Sequence, residues 1–275
     1  MARGRAMVLL SSLQIAAAAV AVAYAGFLLF AWLGSDGMIF LPPPPSYGDS
    51  PELRRIPTPD GVTLAALYLP HPGARFTLVY CHGNAEDLGT LAPHLHDLRD
   101  RLGVAVLAWD YRGYGLSGGR PTEPATLRDA HTVMAYVTGT LGVPPDRIIL
   151  YGWSLGGGPA VEVASTQRVR GLILQSVFTS AFRVMTRVRL LPFDKFVVLE
   201  KLPRVTCPAL VIHGTADRTI PFRHALRNFA ALPGPKSHLW VDGAGHNDLV
   251  ETAGDAYWRA LADFVRGLTA GSGPV

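Results

Sequence analysis

Two hydrophobic patterns divide the chain. Residues 7–34 form one apolar run without a charged residue, whereas short apolar runs alternate with helical periodicities after about residue 50. Short apolar runs bounded by turn signals are typical of buried strands, and apolar positions spaced by three or four indicate helices. Strands are predicted at 61–70, 76–81, 104–109, 148–151, 171–176, 208–213 and 236–241, and helices at 91–102, 125–141, 159–164 and 257–268. This alternation predicts an α/β fold with a mainly parallel central sheet flanked by helices.

The long apolar run is expected to be a transmembrane signal anchor. It exceeds the roughly 20 residues that a helix needs to cross a bilayer and the ~7–15 apolar residues of a signal peptide. A cleaved signal peptide is the alternative, because Ala23-Tyr24-Ala25 has the small-x-small form of a cleavage site. Arg3 and Arg5 precede the run, so the positive-inside rule predicts a single-pass protein with a cytoplasmic N-terminus and its main domain across the membrane.

These patterns give a domain plan for the 275 residues. A short basic N-terminus (1–6) and the transmembrane anchor (7–34) are followed by a proline-rich linker (35–50), in which Pro42 to Pro45 favour a stiff, extended spacer. The α/β domain is expected over 51–268, with a flexible tail at 269–275.

The charge and the cysteines exclude several function classes. The net charge is +4, but the arginines are scattered, among them Arg183, Arg187 and Arg189, and no Lys/Arg run with interleaved aromatics indicates a nucleic-acid partner. Basic residues near a membrane segment fit an anionic lipid surface better. The two cysteines, Cys81 and Cys207, abut apolar runs and are expected to be small buried hydrophobes rather than metal ligands or disulfide partners.

A possible nucleophile lies between the strand at 148–151 and the helix that follows it. Gly152, Ser154 and Gly156 form a G-x-S-x-G motif in strand–turn–helix context. That context suits a nucleophile elbow, in which a tight turn exposes the serine hydroxyl and requires small residues on both sides. A plain strand-to-helix turn is the alternative for the motif alone.

Two later residues have the order and position that a serine nucleophile requires. A serine hydroxyl needs a base, and the base needs an orienting carboxylate. Asp217 follows the strand at 208–213 and His246 follows the strand at 236–241, so the order is serine, acid, histidine. Alone, Asp217 could be a helix cap and His246 a turn residue, but together they predict a catalytic triad. The rival acids are Asp242 and Asp248, which are expected to shape the turn of His246, and Asp194, which lies in a separate insert.

The oxyanion of an acyl-transfer reaction requires two backbone donors. One is predicted to be the N–H of Leu155, directly after the serine, and the other comes from the loop His82-Gly83-Asn84-Ala85. Asn84 is the preferred donor and Ala85 the alternative. His82 and His213 are expected to have core or supporting roles, because no His/Asp/Glu cluster has metal-ligand spacing. The sequence therefore predicts neither a metal nor a cofactor.

An apolar and basic insert at about 177–205 is expected to act as a lid. It falls between the strand at 171–176 and the next strand, where it would cover the serine and line an acyl pocket. A helix pair packed on the core is the alternative, and both descriptions can hold.

Several motifs together resemble the α/β-hydrolase superfamily. Within it, the sequence is similar to membrane-associated serine hydrolases that include the eukaryotic α/β-hydrolase-domain depalmitoylases and their bacterial relatives, over roughly residues 52–268. The motifs are His82-Gly83-Asn84-Ala85-Glu86-Asp87-Leu88-Gly89, Asp110-Tyr111-Arg112-Gly113-Tyr114-Gly115-Leu116-Ser117, Gly152-Trp153-Ser154-Leu155-Gly156, Pro192-Phe193-Asp194, His213-Gly214-Thr215-Ala216-Asp217 and Gly243-Ala244-Gly245-His246-Asn247-Asp248. The resemblance implies a serine hydrolase with Ser154, Asp217 and His246 as its triad.

The chain departs from those depalmitoylases at its N-terminus. They carry an acylated N-terminal cysteine cluster, whereas this chain has no cysteine before Cys81 and has an apolar span instead. The span and the composition resemble bacterial proteins, so an inner-membrane location and acyl esters or thioesters other than protein palmitate are expected. A serine peptidase or amidase would use the same residues, and a non-catalytic, membrane-anchored binding scaffold is the alternative from another class.

Overall fold

A computed structural model describes residues 2–186 and 190–270, with side chains described from Ser12 onward in the first range and up to Thr269 in the second. Met1 of the predicted basic N-terminus, residues 187–189 of the predicted lid with Arg187 and Arg189, and residues 271–275 of the predicted tail lie outside it. The chain divides into two compact units, one ending at Ile39 and one beginning at Phe40.

The first unit is a single helix, α1 (Ala2–Ile39). Its segment Ser12–Ile39 is long and apolar enough to cross a membrane, a test of length and composition that a signal sequence also passes. The predicted span at 7–34 lies inside α1, but the helix continues through 35–39, which was predicted as linker. No proline interrupts those residues, and the helix ends before Pro42, as expected where a proline follows closely.

The second unit is built on an eight-stranded sheet. The strands are β1 (Leu53–Pro57), β2 (Thr63–Leu69), β3 (Thr77–Cys81), β4 (Ala105–Trp109), β5 (Ile148–Trp153), β6 (Gly171–Gln175), β7 (Ala209–Gly214) and β8 (Lys236–Val241). Their order is β1-β2-β4-β3-β5-β6-β7-β8. β2 pairs antiparallel with β1 and β4, and the pairings among β3 to β8 are all parallel. The predicted mainly parallel sheet is therefore confirmed.

Helices cover both faces of this sheet. They are α2 (Leu88–Leu102), α3 (Glu123–Ala135), α4 (Gly157–Thr166), α5 (Ala181–Met185), α6 (Val198–Lys201), α7 (Arg223–Ala231), α8 (Leu249–Ala253) and α9 (Asp255–Ala270). One face packs Tyr151 in a core with Leu95 of α2 and Leu261 of α9. The next residue, Gly152, faces the other way, where an added Cβ would lie 2.9 Å from the Cβ of Ala160 in α4. The burial of strands on both faces explains why they appear in the sequence as continuous apolar runs.

The folded unit begins earlier than the sequence predicted. The boundary was placed at residue 51, after a free linker, whereas the compact unit starts at Phe40. The Phe40 side chain is 3% exposed and its ring packs edge-on against Tyr114 and Phe196. The proline-rich segment is therefore part of the domain fold, because its neighbours supply the apolar and polar contacts that anchor it.

Two elements have no clear signal in the sequence. β1 contains the adjacent arginines Arg54 and Arg55 and ends in Pro57, which suits an edge strand with one partner. The fully buried residues of α7 are His224, Ala225 and Asn228, so two of the three are polar and mark the helix weakly in the sequence. The predicted helix at 125–141 also changes at Tyr136, where α3 gives way to a π-helical turn.

Candidate active site

The nucleophile elbow has the backbone shape that its motif predicts. Ser154 follows β5 with a φ of +50°, which non-glycine residues rarely adopt. A Cβ on Gly152 would lie 2.7 Å from the Gly156 carbonyl oxygen. A Cβ on Gly156 would lie 1.9 Å from the carbonyl oxygen of Cys81, on the neighbouring strand β3. Crowding inside the turn thus explains Gly152, but Gly156 is required by the adjacent strand.

The structure brings the three predicted triad residues together at the carboxyl ends of the parallel strands. Asp217 lies in the loop after β7 and His246 in the loop after β8. The Ser154 Oγ lies 3.0 Å from His246 Nε2, and His246 Nδ1 lies 2.7 Å from Asp217 Oδ2. This line of atoms allows the imidazole to accept the serine proton while the carboxylate holds the opposite ring nitrogen protonated.

Asp217 is held as an ionised acceptor. Its Oδ1 accepts hydrogen bonds from the backbone N–H groups of Thr219 (2.9 Å) and Ile220 (2.7 Å), which leaves Oδ2 for His246. Burial acts to raise the pKa of Asp217, but the hydrogen bonds and charges of its neighbours, His246 first, hold that pKa below its usual value. The two interpretations of Asp217 are compatible, because one oxygen caps the turn and the other faces the histidine.

The rival acids have other partners. Asp242 accepts a hydrogen bond from Thr215 Oγ1 (2.9 Å), and Asp248 accepts one from the Gly245 N–H (2.7 Å), so both shape the turns around His246. Asp194 accepts from Ser180 Oγ and the Phe182 N–H within the insert. None of these contacts involves His246, whose carboxylate partner is Asp217.

The two predicted histidines of the core are buried next to the site. His213 Nε2 lies 2.7 Å from the Ile220 carbonyl oxygen and 3.4 Å from Asp217 Oδ2, and burial lowers its pKa. His82 Nδ1 lies 2.7 Å from the Gly83 carbonyl oxygen and its Nε2 lies 3.4 Å from Asp110 Oδ1. Within the described residues, His, Cys, Asp and Glu form no group that could hold a metal ion.

The oxyanion loop follows β3, and its two candidate donors differ. The Ala85 N–H donates to the side-chain oxygen of Asn84 (3.0 Å). Ala85 itself has a φ of +59°. This contact engages the N–H of Ala85, the alternative donor. Leu155 directly follows the serine and is buried. The assignment of Asn84 and Leu155 as oxyanion donors stays a prediction.

The oxyanion loop also contains a half-buried acid, Glu86, that was not predicted from the sequence. Glu86 Oε2 accepts a hydrogen bond from the Gly83 N–H (3.0 Å). Burial raises the pKa of Glu86 to about 7, although His82, the Gly83 N–H and His246 act in the opposite direction. Burial also acts to lower the pKa of His82, but the neighbouring Asp110 leaves that pKa above its usual value. The only available signal was a glutamate three residues after Gly83, which was too weak to show burial.

The predicted lid packs partly against α4, the helix that follows the nucleophile. A Cβ on Gly157 would lie 2.2 Å from Val177 Cγ1, and a Cβ on Gly158 would lie 2.3 Å from Phe196 Cδ1. These glycines let both ends of the insert approach the start of α4. The Trp153 and His246 rings also stack beside the serine, with their centroids 6.2 Å apart. Aromatic and aliphatic groups therefore surround the elbow.

Relatives with curated names resemble this chain in sequence over more than two thirds of its length. A family model described as "Serine aminopeptidase, S33" matches residues 72–197. α/β-Hydrolase domain-containing protein 17C of Xenopus laevis is 38% identical over 221 residues, which cover 79% of this chain and 70% of that protein. The chain belongs to the α/β-hydrolase domain-containing protein 17 family. This α/β-hydrolase is also 40% identical to aho-3 of Caenorhabditis elegans, over 71% of the chain and 59% of that protein.

Solved structures agree on the fold of this α/β-hydrolase. The esterase Pf2001 of Pyrococcus furiosus superimposes with a TM-score of 0.69 at 21% identity, over 82% of this chain and 99% of the esterase. Est1E of Butyrivibrio proteoclasticus, bound to ferulic acid, gives a TM-score of 0.65 at 20% identity, over 79% and 99% of the two chains. At these identities the match establishes the α/β-hydrolase architecture.

Proposed function

We propose that this protein is a membrane-anchored serine hydrolase that cleaves acyl esters or thioesters, with Ser154, His246 and Asp217 as its catalytic triad. The observation that carries the proposal is the unbroken line from Ser154 Oγ to His246 Nε2 and from His246 Nδ1 to Asp217 Oδ2. Membership of a hydrolase family supports the reaction class, and the apolar helix α1 supports the anchor.

The geometry suits a two-step acyl transfer. His246 accepts the Ser154 proton as the oxygen attacks the carbonyl carbon, and Asp217 stabilises the imidazolium. The N–H groups of Leu155 and Asn84 bind the oxyanion of the tetrahedral intermediate. His246 then protonates the leaving alcohol or thiol, and an acyl-enzyme remains on Ser154. Water, deprotonated by His246, attacks that ester and releases the acid. No step requires a metal or a cofactor.

A lipid-like acyl substrate is favoured over a small polar ester. A single apolar helix would hold the enzyme at a bilayer, and the half-buried Trp153 ring lies beside the elbow, stacked on His246. The resemblance to depalmitoylases is consistent with acyl chains, although the chain lacks their N-terminal cysteines. We propose that the N-terminus is cytoplasmic and that the domain lies across a bacterial inner membrane.

A serine peptidase or amidase is the second candidate. The family model that matches residues 72–197 has an aminopeptidase description, and amide hydrolysis requires the same triad and oxyanion hole. The two functions differ in the leaving group, because an amine must be protonated as it departs whereas a thiolate leaves readily.

The decisive experiment measures hydrolysis by the full chain in detergent micelles. The substrates are p-nitrophenyl esters from acetyl to palmitoyl, an acyl thioester and an aminoacyl amide, with Ser154→Ala as the matched control. We expect turnover with an optimum at medium or long chains, a loss of at least about 10³-fold in Ser154→Ala, and fluorophosphonate labelling that requires Ser154.

Each outcome decides between the candidates. Turnover of the amide alone would replace the esterase with a peptidase. A folded chain with neither Ser154-dependent turnover nor labelling would support a non-catalytic, membrane-anchored scaffold, in which the residues of the triad are retained without chemistry.

A further inference from the structure

The segment from Phe40 to Tyr47, named here the strap, is bonded to the loop that follows β3. At its C-terminal end, Ser46 donates from its backbone N–H to Asp87 Oδ2 (2.6 Å) and from its hydroxyl to Asp87 Oδ1 (2.5 Å). Asp87 is also the N-cap of α2, where it accepts a hydrogen bond from the Thr90 N–H (3.0 Å). The next residue, Tyr47, donates its hydroxyl hydrogen to Asp110 Oδ2.

The N-terminal end of the strap contacts Asn84 itself. The Leu41 N–H lies 2.9 Å from Asn84 Oδ1 and 2.9 Å from the Tyr114 hydroxyl oxygen. The Tyr114 hydroxyl donates to the same Asn84 oxygen at 2.6 Å. Together with the Ala85 N–H, three donors from separate parts of the chain converge on one side-chain oxygen. The Asn84 side chain is thereby fixed beside the peptide group whose N–H is the candidate oxyanion donor.

Two glycines that are far from the strap in sequence lie against it, where a larger side chain would overlap it. A Cβ on Gly89 would lie 2.3 Å from Ser46 Oγ, and a Cβ on Gly115 would lie 1.9 Å from Asp110 Oδ2 and 2.6 Å from the Tyr47 hydroxyl. Phe40 is buried against Tyr114 and Phe196. The strap is therefore closely packed against the domain at both of its ends, unlike a flexible spacer.

We propose that the strap is part of the catalytic domain and that the backbone N–H of Leu41, together with the Tyr114 hydroxyl, positions the oxyanion loop through Asn84. This inference rests on the proposed hydrolase function. Leu41 and Tyr114 are positioning residues, because they act on the reaction only through Asn84. The strap, which follows α1 in the sequence, thus contacts the side chain of the residue whose N–H is the proposed oxyanion donor.

The test compares Leu41→Pro with Leu41→Ala in the full chain in detergent micelles. Proline removes the N–H, and alanine keeps it while removing a side chain that is 55% exposed. A proline at 41 extends a run that is already proline from 42 to 45. We expect Leu41→Pro to lower kcat about 10- to 100-fold with KM within about twofold, because misplacing an oxyanion donor affects the transition state more than the bound substrate. Leu41→Ala should stay within about twofold of wild type.

Tyr114→Phe provides an independent variant that leaves the strap sequence intact. It should also lower kcat without raising KM, and the double variant with Leu41→Pro should lose less than the product of the single losses, because both donors share one acceptor. The affinity of a trifluoromethyl ketone, whose adduct with Ser154 carries an oxyanion, should fall in parallel with kcat/KM. A merely structural role would instead lower the thermal midpoint and raise KM.

The outcomes distinguish a failure of this inference from a failure of the proposed hydrolase function. If wild type shows no Ser154-dependent turnover, the proposed function fails. If wild type is active but Leu41→Pro and Tyr114→Phe match Leu41→Ala in kcat and in ketone affinity, the function stands and the positioning role of the strap is wrong.

Discussion

Backbone strain in the second unit concentrates around the proposed chemistry. Among the described residues, the non-glycine positions with positive φ are Ala85, Ser154, Ser176 and Phe196. They lie in the oxyanion loop, at the nucleophile, directly after β6 and in the insert beside α4. Such conformations cost about 1–3 kcal/mol each and persist only where the surroundings enforce them. Three of the four, Ala85, Ser154 and Ser176, follow the carboxyl ends of strands, which supports the assignment of this edge as the active site.

The half-buried carboxyl of Glu86 makes stability depend on pH. Its pKa is about 7 in the folded chain, against about 4.5 when exposed. The native state therefore binds more protons than the unfolded state between these values, and the free energy of unfolding falls as the pH rises through that window. Glu86→Gln should leave stability unchanged below pH 4.5 and raise it relative to wild type by up to about 3 kcal/mol above pH 7.

Urea unfolding of the full chain in micelles, followed at pH 4 to 8.5, measures this difference. Gln can still accept the Gly83 N–H, so the substitution isolates the charge. Glu251→Gln, at an exposed position on α8, is the matched control and should track wild type at each pH. A Glu86→Gln curve parallel to wild type across the range would contradict the buried, protonated carboxyl.

The sequence predicted the proximity of those residues whose position after a strand places them at one edge of the sheet. Ser154, Asp217 and His246 each lie shortly after the carboxyl end of a parallel strand. The parallel sheet alone therefore predicts that they lie close together. Glu86 and Tyr114 could not be identified in this way. Their importance comes from burial and from bonds to residues far away in the sequence, which no local pattern records.

The elements around the elbow fit together with little free space. Gly156 lies against the carbonyl groups of Cys81 and His82, at the end of β3. β3 pairs with β5 on one side and β4 on the other, so it cannot move without disturbing the centre of the sheet. The elbow and the oxyanion loop are therefore held in register by a direct backbone contact.

Gly156→Ala should destabilise the folded unit and lower its activity. The new methyl group would lie 1.9 Å from the Cys81 carbonyl oxygen, and relieving that overlap requires the elbow and β3 to separate, at a cost of about 3 kcal/mol. Gly267→Ala, on an exposed face of α9 with no atom within 4 Å, should instead stabilise the chain by up to about 1 kcal/mol.

Thermal midpoints and Ser154-dependent turnover of both variants test this expectation. A Gly156→Ala protein with the stability and kcat of wild type would show that the elbow can relax without cost and would remove the steric basis for this glycine.

Central elements of the fold were easier to predict than peripheral ones. The strands β3 to β7 are almost completely buried, so their apolar runs are clear in the sequence. β1, with Arg54 and Arg55, and α7, whose buried side holds His224 and Asn228, obey no such pattern. His224 Nδ1 accepts a hydrogen bond from the Thr179 N–H, and the Asn228 side-chain amide donates one to the Val177 carbonyl oxygen. Polar contacts with the start of the insert therefore help to hold α7 in place.

For the whole molecule, α1 leads to a prediction about processing. We expect the full chain to stay in the membrane pellet after a carbonate wash, because about 20 apolar residues suffice to span a bilayer and Ser12–Ile39 exceeds that length. Mass spectrometry of the extracted protein should show an uncleaved N-terminus. The control is a chain in which Val20 and Val22 are both replaced by aspartate, which should be released by the wash.

Cleavage would give a different result. A mature chain that begins at Gly26, after Ala23-Tyr24-Ala25, and that is soluble after the wash would replace the anchor with a signal peptide. The strap would survive such cleavage, because it begins at Phe40. The hydrolase and membrane proposals can therefore succeed or fail separately.

The order of the triad along the chain affects the protein while it is still being made. The strap, the oxyanion loop and Ser154 are complete before Asp217 and His246 have been synthesised, and both of these depend on the last two strands, β7 and β8. In the proposed mechanism, Ser154 has no base until those strands join the sheet, and its hydroxyl alone is a poor nucleophile. We infer that a nascent chain with the proposed triad cannot attack lipid esters until β7 and β8 have joined the sheet.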